Sequence, residues 1–321
     1  MPTPITVTVG HTSRDYSTLH GATAGTEIVD RVSDDTVPLI ELYNDDDTDI
    51  ISNTATIAAG AEANKCTIQP ALGHDYADGD YTSKALSYNP ADGVGIKTSS
   101  TFSQCLYFSG AAYSDVVNLQ IFSDSHQSSP IRSTDASNTL IGCLVHTANK
   151  LQQFRGPVTN CLFIVDYDDK ALSLSYGTAT QCTFVCPSDI SNTSTGVLAH
   201  GTPELNNCAV FGFGADESGI DSASDWNATD RTAITGSNSI TSQTYADQFE
   251  VVTDAAQDWR MKAGNDLDGA GDGGIDIGFR IPDPIGGGTG GGGGRIMGSL
   301  AGLGGLAGPG GLAGRGGGLA G

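Results

Sequence analysis

The sequence predicts an all-β solenoid, a parallel β-helix with coils of about 22 residues, and three observations predict it. The first is a set of similar short strings: Gly142-Cys143-Leu144-Val145, Asn160-Cys161-Leu162-Phe163, Gln181-Cys182-Thr183-Phe184 and Asn207-Cys208-Ala209-Val210, preceded by Asn118-Leu119-Gln120-Ile121, which lacks the thiol. Successive members from Leu119 lie 24, 18, 21 and 26 residues apart. The second is an interlocked ladder, Phe108, Ile131, Leu151, Leu172 and Val197, that precedes these positions by 10 to 12 residues. The third is alternation within each string: Leu119/Ile121, Cys143/Val145, Cys161/Phe163, Cys182/Phe184 and Cys208/Val210 are small or apolar at i and i+2, which is strand periodicity. Polar turns such as Ser123-Asp124-Ser125 and Pro187-Ser188-Asp189 punctuate the strings, and no 11-residue window carries a clean helical stripe.

Taken in chain order, residues 1–100 fit the repeat poorly, and residues 1–60 are expected to form an irregular N-terminal cap, because an open solenoid end exposes unpaired backbone. Residues 61–285 are the solenoid body, in which the irregular stretch 225–281 closes the other end. If most of the first 285 residues were wound this way, about ten coils at about 4.8 Å each would give a rod on the order of 50 Å long. Residues 286–321 are a tail.

The cysteines read best as an inward core ladder, Cys143, Cys161, Cys182 and Cys208, since free cysteine behaves as a small buried hydrophobe. Cys143…His146 and Cys182…Cys186 have only loosely ligand-like spacings, and the six histidines form no paired ligand spacing. Seven cysteines without an export signal point to reduced thiols made in a cytoplasm.

Outward positions are unusually apolar. Position i+1 reads Gln120, Leu144, Leu162, Thr183, Ala209, and i+3 reads Phe122, His146, Ile164, Val185, Phe211. Such a face is covered either by a loop of the same chain or by another copy; the second is the favoured expectation, with Phe122, Leu144, Leu162, Ile164, Val185 and Phe211 as the oligomer interface.

Composition narrows the partners. The chain has 321 residues, 38% of them apolar, 16% charged, and a net charge of −22. Nucleic acid is an unsuitable partner, because phosphate binding needs clustered Lys and Arg. No apolar run approaches the ~18 residues of a membrane span. Of the 44 glycines, 20 lie in residues 286–321, a segment without acidic residues whose charges are Arg295 and Arg315. Its Leu-Ala-Gly triplets begin at 300, 306, 312 and 319. Glycine-rich sequence is normally a linker, but Leu300, Leu303, Leu306, Leu312 and Leu319, with small residues between, suit an extended arm packed against a partner; together with Arg295 and Arg315 they are the expected anchoring residues.

The strings Arg14-Asp15-Tyr16-Ser17-Thr18-Leu19 and Ser87-Tyr88-Asn89-Pro90-Ala91-Asp92-Gly93-Val94-Gly95-Ile96, the Asn-Cys coils, and Asp258-Trp259-Arg260-Met261-Lys262-Ala263-Gly264 followed by Asp276-Ile277-Gly278-Phe279 carry a resemblance. Together they resemble right-handed parallel β-helix proteins encoded in tailed-bacteriophage and prophage structural gene sets. The resemblance spans most of residues 5–281 and implies a right-handed coil and a virion protein. That fold serves tailspikes, capsid decoration proteins and carbohydrate-active enzymes alike. One departure is the terminus: similar proteins often stop soon after the Asp-Ile-Gly-aromatic string, whereas here Arg280 and the tail follow.

Depolymerases resembling this chain cut polysaccharide with paired carboxylates. The candidate clusters here are Asp166, Asp168 and Asp169; Asp45 to Asp49; and Asp266, Asp268 and Asp272. Each is better explained as a turn, where aspartate bonds local backbone. An EF-hand is rejected, because placing Gly269 at the sixth loop position puts Gly264 at the first and Ile275 at the twelfth. No nucleophile elbow, phosphate loop or zinc-protease motif is present. The expectation is a non-enzymatic, cofactor-free virion protein on the outer surface of the particle, a homotrimer that binds the major capsid protein and cements the assembled head. The alternative is a small tailspike or fibre component that binds, and in one version cleaves, host polysaccharide.

Overall fold

The computed structural model describes residues 3–24, 36–46, 49–51, 54–57, 65–78, 84–98, 104–109, 113–124, 129–147, 154–166, 170–187, 195–253 and 256–282. The chain falls into two units, Met1–Gly287 and Gly288–Gly321. The anchoring residues Arg295, Leu300, Leu303, Leu306, Leu312, Arg315 and Leu319, with Leu151, Asp47, Asp168 and Asp169, lie outside the described residues.

The described chain is built on parallel sheets, in agreement with the all-β expectation. Sheet I has eight parallel strands in the order Thr3–Val9, Thr36–Leu42, Cys66–Pro70, Ser114–Val117, Thr139–Ile141, Val158–Thr159, Thr178–Thr180 and Glu204–Asn206. Sheet II also has eight, Ile50–Ile51, Gly95–Thr98, Gln120–Ser123, Leu144–Thr147, Leu162–Val165, Thr183–Val185, Ala209–Phe211 and Ala228–Thr229. Two smaller parallel sheets follow: Ala55–Ile57, Leu106–Phe108, Ile131–Ser133, and Lys170–Ser175, Thr195–His200, Ala215–Ser218. From Thr36 onward the chain visits sheet I, then sheet II, then in most circuits a smaller sheet, and returns to sheet I one strand further along. Seven intervals of about 4.8 Å make each long sheet about 34 Å from first strand to last. That is shorter than the ten-coil rod, because the residues after Thr229 leave the stack.

The register lays out the rows that face inward. Val145 pairs with Ile121 and Phe163, Phe163 with Phe184, and Phe184 with Val210. Two residues earlier, Leu119, Cys143, Cys161, Cys182 and Cys208 therefore fall in one row, and all are fully buried. The Phe163 and Phe184 rings stack at 5.0 Å and 5°, as an in-register parallel ladder requires. The second ladder needs one correction: Phe108 pairs with Ser133, and Ile131 with Leu106, a slip of one inward position. Leu172 pairs with Val197 as expected.

Residues 1–60 are not a separate cap. Their strands Thr3–Val9 and Thr36–Leu42 open sheet I, Ile50–Ile51 opens sheet II, and Ala55–Ile57 joins the first small sheet. Their weak repeat reflects long connections rather than a different architecture. A six-residue helix, α1 (Leu19–Ala24), buries Leu19 and Ala22 against the same core.

Nor do residues 225–281 simply close the far end. After Ala228–Thr229 the chain forms one helical turn, α2 (Tyr245–Gln248), and an antiparallel hairpin of Phe249–Thr253 with Ala256–Met261. Phe249, Trp259, Leu267, Ile277 and Phe279 are buried in one cluster with Leu144, Leu162, Ile164, Val185, Ala209 and Phe211. These last six are the outward positions of sheet II.

Candidate functional site

The corner between sheets I and II organises the outer face. The residue before each inward-row position is left-handed: Asn118 (φ 52), Gly142 (φ 62), Asn160 (φ 49), Gln181 (φ 56) and Asn207 (φ 55). Glycine and asparagine enter this region at least cost, which is the physical content of the Gly-Cys and Asn-Cys strings. A Cβ on Gly142 would lie 2.2 Å from Asn118 Oδ1, so a larger residue there requires the Asn118 carboxamide to move.

The corner side chains receive the end of the body. The Asp272 amide donates to Asn207 Oδ1 at 2.8 Å, and the Gly278 amide to the Asn207 carbonyl at 2.8 Å. The Phe279 amide donates to Thr183 Oγ1 at 2.7 Å. The Arg280 amide donates to Asn160 Oδ1, and Asn160 Nδ2 donates back to the Arg280 carbonyl, both at 2.8 Å. Pro282 then lies beside Gly142. Residues 278–282 thus cross successive strands as a strap toward the N-terminal strands, one circuit further every residue or two.

This strap and the hairpin overturn the expected intermolecular stripe. Leu144, Leu162, Ile164, Val185 and Phe211 are each fully buried by residues of the same chain. The physical reason is that an apolar face is satisfied by any apolar cover, and the tethered C-terminal segment carries enough aromatic surface to provide it. Phe122, the remaining member, is half-buried between a stacked Tyr88 (4.9 Å) and the edge of His146 (5.2 Å).

The outward row of Ile164 continues on adjacent strands as His146, Phe122 and Lys97. Lys97 Nζ lies 4.7 Å from the Phe122 ring centroid and 3.5 Å from Asp124. Tyr88 donates its hydroxyl to Asp49, and burial followed by that carboxylate pushes the phenol upward. His146 Nε2 is 2.6 Å from Asp166 Oδ2, and Gln257 Nε2 of the hairpin donates to Asp166 Oδ1 at 3.2 Å. Burial pushes the Asp166 carboxyl up, but the contacts with His146 and Gln257 more than offset it and hold it below the ordinary carboxylate range. Asp166 is therefore a fixed anion that latches the hairpin to sheet II, and a poor proton donor.

Members of the other acidic clusters make structural contacts. Asp45 accepts from Arg14 at 2.6 Å, Asp268 is 3.5 Å from Arg280, and the Asp272 amide is on Asn207. Among the described residues no group of three or more His, Cys, Asp or Glu is placed to hold a metal ion. Burial pushes the Cys66 thiol up to about 12 and raises Cys161 and Cys208 as well. No helix among the described residues is long and apolar enough to cross a membrane.

An open cleft of about 400 Å³ lies where the strap meets the hairpin, lined by Leu86, Trp259, Lys262, Asp268, Phe279 and Arg280 among others. Its cations are already paired: Arg260 binds Asp258 at 2.5 Å, Arg280 contacts Asp276, and Lys262 Nζ donates to the Ala246 carbonyl. The sequence expectations named Phe122, His146 and Asp166 separately, and the structure brings them together. They did not find Tyr88, Lys97, Gln257 or the receiving roles of Asn160, Thr183 and Asn207. Only the recurring Asn-Cys dipeptide signalled the corner. Compared with protein-family models, curated proteins and solved structures, the chain matches none.

Proposed function

We propose that the stacked sheets form a right-handed parallel β-helix and that the protein is a bacteriophage structural protein, a cement protein that binds the outer surface of the assembled head as a homotrimer. The observation that carries this reading is the clasp of Arg280 on Asn160, which anchors the body's last described residues to the side of a rigid stack. Residues 286–321 follow this clasped segment in the sequence. A stiff body with a fixed attachment point for an extended arm suits a molecule that bridges neighbouring capsomers. Binding only the assembled lattice stabilises it by mass action. The resemblance noted in the sequence supports the virion assignment; the trimer was expected through the apolar stripe, and because that stripe is covered within one chain a trimer needs other surfaces.

In the cleaving version of the tailspike alternative, Asp166, held as an anion by His146 and Gln257, suits the base or nucleophile role and not the general-acid role. The test is co-sedimentation of the full chain, and of a chain ending at residue 285, with assembled heads. The cement reading expects the full chain to bind in hundreds of copies per particle and the shortened chain to stay in the supernatant although folded. Equal binding by both chains rejects the arm. A stoichiometry of three to eighteen copies assigns the protein to the tail or portal.

A further inference from the structure

We propose that Trp226 anchors a docking surface for a basic protein surface on the assembled head, at the end of the stack where Ala228–Thr229 is the last strand of sheet II; this rests on the cement reading and names the part of the body that meets the lattice. Trp226 takes the corner position after Asn207, since Asn206 pairs with Asp225 and Ala209 with Ala228. It has φ 57, in the row that elsewhere holds Asn118, Gly142, Asn160, Gln181 and Asn207. A bulky residue in the left-handed region carries a backbone cost that glycine or asparagine largely avoids, and such outliers persist where something else requires them. Packing within the chain does not supply that requirement. Trp226 is half-buried, and among the described residues its indole joins neither apolar cluster and makes no ring contact.

The turn that carries the indole is held on both sides. The Trp226 amide donates to Asp225 Oδ1 at 2.9 Å, the Asp225 amide to the Leu205 carbonyl at 3.2 Å and to Asn206 Oδ1 at 3.1 Å, and the Asn227 amide to Ser239 Oγ at 2.9 Å. A large aromatic side chain on a fixed backbone loses little freedom on contact, which suits the anchor of an interface. The neighbouring corner adds apolar surface: the loop that places its Asp272 amide on Asn207 carries Ile275 at 40% exposure.

The charge beside the indole selects the partner. Asp225 also accepts from the Asn238 amide at 2.7 Å and from Asn238 Nδ2 at 2.6 Å, and these contacts with the Trp226 amide hold its carboxyl below the ordinary carboxylate range. Three of the carboxylate's roughly four acceptor sites are thus filled, and the last is open to a donor from outside. Asp272 is exposed on the neighbouring loop. The arginines of this end face other acids: Arg231 lies 4.0 Å from Asp230, and Arg280 contacts Asp268 and Asp276. A rigid indole beside a fixed carboxylate is complementary to an arginine or lysine side chain, which stacks on the ring and pairs with the acid. A second copy of a chain with net charge −22 brings like charge instead.

The test is co-sedimentation of the full chain with assembled heads at about 0.1 M and about 0.5 M salt. Wild type is compared with Trp226→Asn, which keeps the residue type that turns the corner at Asn118, Asn160 and Asn207, and with Trp226→Gly. Both variants are expected to lose head affinity about tenfold or more while unfolding at the same or a higher temperature, and wild-type binding is expected to weaken in the higher salt. Equal binding by wild type and the two variants overturns the docking assignment and leaves the cement reading standing. Failure of wild type to bind heads at either salt rejects both. Wild-type binding that is indifferent to salt overturns the basic partner, and a lower unfolding temperature in both variants gives the indole a structural role and overturns the proposal.

Discussion

Asn160 and Arg280, 120 residues apart in sequence, are joined by two reciprocal 2.8 Å hydrogen bonds between the Asn160 carboxamide and the Arg280 backbone. The carboxamide can reach because Asn160 turns the corner between the two long sheets at φ 49, which projects it from the row. One residue therefore makes the turn and holds the strap.

Those two roles separate by mutation. Asn160→Gly keeps the left-handed turn and loses the clasp, for an expected loss of about 1 kcal/mol at this partly exposed site. Asn160→Ala loses both, for about 2–3 kcal/mol. Urea unfolding monitored by Trp fluorescence measures both. Equal losses in the two variants would show that the left-handed backbone is not strained for alanine.

The cover is held by its aromatic residues. Trp259 is 1% exposed and packs with Tyr245 and Phe249 over Phe211. Trp259→Ala is expected to cost about 3–5 kcal/mol and to uncover Leu162, Ile164, Val185 and Phe211. The check is a rise in binding of a hydrophobic dye below the unfolding transition, together with concentration-dependent association. A variant that stays dye-silent and monodisperse would mean that the stripe is sealed without the indole.

Acid weakens the latch in a defined direction. The Asp166 carboxyl titrates below its ordinary value in the folded protein, so its contribution is fully present above the unfolded value, about 3.9, and is lost as pH falls through the lower folded value. Asp166→Asn has no such contribution to lose. Thermal unfolding of the two proteins from pH 7 to pH 2.5 is expected to show the wild-type advantage constant above about pH 5 and shrinking below pH 4. A constant difference across the range would remove Asp166 from the latch.

Seven buried free cysteines make a chemical prediction. Thiols closed off from solvent in a packed core react only when the structure opens. Ellman's reagent at pH 8 is expected to find fewer than one reactive thiol per native chain within minutes, and seven after addition of guanidinium. A fast native reaction of two or more thiols would contradict the stacked core.

The sequence alone determined the inward rows. Strand alternation and a repeat near 22 residues are local properties, so Cys143, Cys161, Cys182 and Cys208 could be placed in one row before any contact was known. The rule failed at Phe108 because shifting a strand by two residues preserves which side faces inward and changes only its partner. Tertiary structure decided what lies on Leu162, Ile164, Val185 and Phe211, since burial of apolar surface is non-directional and any apolar cover, tethered or foreign, satisfies the same pattern. It also decided that Asn160 receives Arg280, because that depends on which circuits become neighbours, and no local pattern encodes it.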